Sequence, residues 1–88
     1  MYIYKRESNT YQLIDYVDSI DTYTIEERII KLLRKDKRCK DLNKITYKFT
    51  GLYTEYFFDG PYAFIVSTYL LNEDGSIKTQ DSNSQIEE

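Results

Sequence analysis

Ala63-Phe64-Ile65-Val66 is the longest run of purely apolar residues in the chain. A strand alternates its side chains between two faces, so four apolar residues in succession need cover on both. The run therefore predicts a strand over 62–71 at the centre of a sheet, and other elements must fold around it. Asp59-Gly60-Pro61 before it reads as a turn. After it, Asn72-Glu73-Asp74-Gly75 is a hairpin signal that would return residues 76–79 as a short edge strand.

The strand upstream is marked by alternation. Ile45, Tyr47 and Phe49 alternate with Thr46, Lys48 and Thr50, Gly51 interrupts, and Leu52–Phe58 resumes. This reads as one strand over 44–58, bent or bulged at the glycine. Near the amino terminus, Tyr2-Ile3-Tyr4-Lys5-Arg6 is aromatic and β-branched and predicts a strand over 2–6. Two readings then compete. Leu13, Tyr16, Val17 and Ile20 fall at i, i+3, i+4 and i+7, which favours a helix over 10–20 with Asn9 as its cap. Alternatively, Ser8-Asn9 is a hairpin turn and Thr10–Tyr16 a second strand. Strict alternation fails at Leu13-Ile14 and at Tyr16-Val17, so the helix is preferred. A clearer helix is expected over 25–37. Thr24 and Glu27 have capping-box spacing, Ile25, Ile29, Leu32 and Leu33 make an apolar face, and cations gather at the carboxyl end. The expected fold is α+β and two-layered, with order β-α-α-β-β-β and two helices on one face of a mainly antiparallel sheet. Residues 1–79 would form a single small domain, and 80–88 a disordered acidic tail.

Composition narrows the chemistry. The 88 residues include no His and one Cys. A Ser–His or Cys–His nucleophile pair is therefore excluded within one chain, as are a His-based zinc site and an intrachain disulfide. No metal, cofactor or catalytic residue is expected. The apolar runs fall far short of the roughly 20 residues of a membrane span, and a free cysteine suits a reducing compartment. A cytoplasmic location without membrane contact is expected. Tyr, Ile, Lys and Asn supply 32 residues against 9 for Gly, Ala, Pro and Arg, a bias of A/T-rich codons that points to a low-GC bacterium, its plasmid or its phage.

Charge is segregated along the chain. Residues 1–30 carry −3, residues 31–48 carry +6 and residues 49–88 carry −6. The basic stretch, with Lys31, Arg34, Lys35, Lys37, Arg38 and Lys40, has the composition to hold a phosphate backbone beside the rings of Tyr47 and Phe49. Cations at a helix end also arise from ordinary dipole complementation. Cys39 sits among these cations, which would favour its thiolate, but no base or second thiol accompanies it. Asp15, Asp18 and Asp21 recur every third residue, and Glu55, Asp59, Glu73 and Asp74 fall near strand ends. Each reads first as a solvated position.

The ten tyrosines are the stronger signal. A sheet covered by helices on one face leaves the other open, and Tyr favours protein interfaces because it buries much area at low entropic cost. The expected function is a small non-enzymatic modulator that binds a protein, either a host protein or a second copy of itself. Its expected contact residues are Tyr47, Tyr53, Glu55, Tyr56, Tyr62 and Tyr69. An inhibitor carried by a phage or mobile element, acting on a nucleic-acid-processing or CRISPR effector, would fit the size and acidity. The alternative is a nucleic-acid-binding regulator that uses residues 31–48.

Overall fold

The computed structural model describes residues 1–39 and 45–78. Five strands form one antiparallel sheet in the order β2-β1-β5-β4-β3. They are β1 (Tyr2–Glu7), β2 (Thr10–Tyr16), β3 (Thr46–Phe49), β4 (Thr54–Phe57) and β5 (Ala63–Ser67), with α1 (Thr22–Arg34) between β2 and β3. The α+β class stands. Among the described residues there is one helix and not two, and the order is β-β-α-β-β-β.

The central position of β5 matches its apolar run. All five of its residues are buried. Phe64 and Val66 join Ile3, Ile25, Ile29 and Leu33 in a core beneath α1. Ile65 faces the other way, into a second cluster with Tyr4 and Leu71.

The expected helix over 10–20 is a strand, and a bulge explains why its pattern misleads. Ile3 lies opposite Asp15 and Tyr4 opposite Leu13, so Ile14 is an extra residue in β2. The inserted residue shifts the two-residue period by one. It puts Leu13 and Tyr16, opposite Tyr4 and Tyr2, on one face three residues apart, a spacing that imitates a helical stripe. Only Val17 of that stripe is buried, while Ile20 is 85% exposed. Ser8-Asn9 is the hairpin loop, with Ser8 at φ 59°.

Helix α1 starts three residues before the expected position. Asp21 is the cap: its carboxylate accepts from the Thr24 N–H and the Thr24 hydroxyl, both at 2.9 Å. Thr24 thus lies in the first turn. The helix ends at Arg34, and the N–H groups of Lys35 and Asp36 close its last turn on the carbonyls of Leu32 and Leu33.

The stretch 44–58 is a hairpin and not one bent strand. Gly51 has φ 92° and Leu52 has no positive φ, the pattern of a type II′ two-residue turn. Of the expected edge strand over 76–79, residues 76–78 do not join the sheet and Thr79 lies outside the described residues. Leu71 and Ile77 form an isolated bridge in an arm, residues 70–78, that packs across the second face. The arm is fastened by the Leu71 N–H, which donates to the buried Tyr4 hydroxyl at 2.7 Å. The Tyr11 N–H also donates to the Glu73 carbonyl at 2.8 Å. Gly75, at φ 89°, lies against the Tyr11 ring so closely that a Cβ there would come within 2.6 Å of it. The face expected to lie open is therefore partly roofed. The expected tail over 80–88 lies outside the described residues.

Candidate functional site

Strand pairing sorts the expected contact residues onto different surfaces. Tyr56 and Tyr62 are buried in the core beneath α1. Tyr47 lies opposite Tyr56 and shares its face, with ring centroids 5.8 Å apart, but it is 60% exposed. Tyr53 and Glu55 point to the second face. There the Tyr53 hydroxyl meets that of Tyr11 at 3.1 Å, and Glu55 is ion-paired to Arg6. The Tyr11 hydrogen bond and burial push the Tyr53 hydroxyl up to about 12. Tyr69 is exposed on the segment that leads into the arm. The six residues therefore do not form one surface.

Two features of the surface remain. The first is the β3 edge. All four β3 residues are exposed, and Phe49 reaches 69%. Leu52, at the tip of the β3–β4 turn, is also exposed. Composition and alternation do not single out Phe49. What exposes it is its place on an edge strand beyond the reach of α1.

The backbone of β3 can be followed from the turn. The Thr50 N–H donates to the Tyr53 carbonyl at 2.9 Å. In an antiparallel pair, bonded positions alternate with non-bonded ones. Lys48 and Thr46 therefore turn their peptide groups toward β4, and Tyr47 and Phe49 turn theirs outward. Among the described residues nothing bonds to that outer edge. The other sheet edge, β2, differs: it carries the bulge and receives the arm at Tyr11.

The second feature is a groove of about 550 Å³ where the end of α1 meets β1 and β2. Ile14, Leu32, Tyr62 and Phe64 line it with Lys5, Lys35 and Lys37 and with one carboxylate, Asp36. Such a volume suits a small ligand or a few side chains. The remaining cations of the basic stretch behave differently. Arg38 pairs with Asp36 at 3.0 Å and with Glu7 at 3.7 Å, and its guanidinium lies 5.5 Å from the Tyr62 ring centre. Asp36 is held well below the usual carboxylate range by the Arg38 side chain, the Arg38 N–H and the Tyr62 hydroxyl. Arg38 is thus committed within the fold. Lys31 and Arg34 are exposed on α1, and Lys40 lies outside the described residues. Cys39 is buried.

The described residues contain no group of three His, Cys, Asp or Glu side chains placed to hold a metal ion. No described helix is long and apolar enough to cross a membrane. No family model, curated protein or solved structure matches the chain.

Proposed function

We propose that this chain is a small non-enzymatic protein-binding module, and that the β3–β4 hairpin is its contact surface. The observation that carries this reading is the outer edge of β3. Its outward peptide groups have no partner among the described residues and are flanked by the exposed rings of Tyr47 and Phe49. Exposed sheet edges recruit added strands, with main-chain hydrogen bonds giving affinity and alternate side chains giving selectivity. The aromatic character of the site agrees with the enrichment of Tyr and Phe at interface cores. A modulator that covers a surface on its target needs no catalytic group.

The test is capture by immobilised wild-type chain set against capture by Phe49→Lys and Leu52→Lys variants whose circular dichroism is unchanged. A protein retained by wild type and released by either variant supports the reading. Retention that both variants leave intact overturns it.

A second reading is a nucleic-acid-binding regulator that uses Lys35 and Lys37. It rests on the groove, where these lysines stand beside Lys5 with no carboxylate of the described residues within 4.0 Å of Lys35 or Lys37. Binding of labelled single strands would weaken steeply with salt, and a Lys35→Gln, Lys37→Gln double variant would flatten that slope. Absence of binding at low salt overturns it.

A further inference from the structure

Resting on the reading of β3 as a binding edge, we infer that its partner is a second copy of this chain, paired antiparallel about a two-fold axis that passes through Tyr47. Three observations converge on this register.

The first is hydrogen bonding. Because the peptide groups of Tyr47 and Phe49 face outward, the bonded positions across a new seam are these residues and Ile45, which precedes them at the same two-residue interval. A two-fold axis at Tyr47 places each Tyr47 opposite its own equivalent, and Phe49 opposite the second copy's Ile45. Every outward peptide group of the segment then gains a partner.

The second is side-chain matching. Ile45, Tyr47 and Phe49 all lie on the helix-bearing face. This register opposes Tyr47 to Tyr47 and Phe49 to Ile45 in an unbroken apolar ladder, and each such cross-strand pair stabilises a sheet. The axis keeps both copies of α1 on the same face, so the ladder would lie in the trough between them.

The third is charge. Lys48 is the one charged residue in β3. An axis at Lys48 would set two ammonium groups directly opposite each other. The Tyr47 axis places Lys48 against Thr46 and moves the two ammonium groups from direct opposition to a diagonal, where repulsion is weaker. An axis at Thr46 would carry Phe49 past Ile45 and leave it without an apolar partner. The lysines of the groove stand against β1 and β2, on the far side of the strand order from the seam. The other edge cannot serve in the same way, since β2 is bulged and already bonded to the arm.

The test is mass in solution, together with the register. Sedimentation of the full chain should show a concentration-dependent dimer. Tyr47→Lys sets like charges across the axis and should reduce the mass to that of a monomer with unchanged circular dichroism. Phe49→Glu, at the end of the ladder, should do the same. Bonded residues across an antiparallel pair lie about 5.5 Å apart at Cα, within the span of a disulfide. Tyr47→Cys should therefore oxidise to a covalent dimer at least tenfold faster than Lys48→Cys or Phe49→Cys. The buried Cys39 should remain unreacted. A wild-type monomer at every concentration overturns the proposal, as does equal cross-linking at the three positions. A monomer whose capture of another protein is still abolished by Phe49→Lys overturns self-pairing alone and leaves the binding edge standing. A monomer with capture insensitive to Phe49→Lys overturns both.

Discussion

Tyr4 shows how much one side chain carries in a chain of this size. Its ring is 2% exposed and lies between β1 and the arm, and its hydroxyl accepts the Leu71 N–H. Removing the hydroxyl leaves a buried donor unpaired, which costs about 1–3 kcal/mol. Tyr4→Phe should therefore lower the unfolding free energy from denaturant titration by that amount without changing the secondary structure, and an unchanged midpoint would show that water replaces the bond. Of the ten tyrosines, Tyr4, Tyr56 and Tyr62 are interior. The sequence marks them no differently from Tyr47, because burial depends on the residue's opposite number across the sheet and on how far α1 extends over it.

At the scale of elements, β2 and α1 are tied together by Asp15 and Arg28, whose side chains meet at 2.8 Å. The bulge at Ile14 turns the Asp15 side chain to the helix face. Burial disfavours the ionised carboxyl, but the Arg28 hydrogen bond and the Tyr16 N–H outweigh it, and the pKa of Asp15 lies below its ordinary 3.8. A carboxylate lowered in the folded state stabilises it above the unfolded-state pKa, and that contribution fades as pH falls through the folded value. Arg28→Gln should thus destabilise the protein modestly near neutrality and have no effect well below pH 3.8. Acid titration of both forms by circular dichroism checks the sign, since a gap that widens toward low pH would exclude this pair as its cause. The α1 face was legible, since Ile25, Ile29 and Leu33 recur every fourth residue and all are buried. The bulge was not. Its extra residue makes a strand spell out helical spacing, and only pairing with β1 distinguishes the two.

For the whole molecule, the arm over 70–78 decides whether the sheet has one covered face or two. Leu71 is 5% exposed and fills the second cluster with Tyr4 and Ile65. Leu71→Ala should cost about 2–5 kcal/mol, a large share of the roughly 5–15 kcal/mol that holds a small domain together. Thermal melting would register it as a loss of at least about 8 °C, and a change of a degree or two would mean that the arm is dispensable. The arm also covers part of the face on which a tyrosine surface was expected, and the binding site proposed here is the β3 edge.

By itself the sequence determined the periods. It showed an apolar run that had to be central, an amphipathic helix with one apolar face, and alternating strands after residue 44. These follow from backbone geometry, which repeats over a few residues and needs no distant partner. Only the tertiary structure decided which tyrosines are buried, that Thr10–Tyr16 pairs with β1, that the arm partly roofs the second face, and that β3 is the last strand of the sheet. Each of these depends on contacts between residues far apart in the chain, and local spacing carries no record of them.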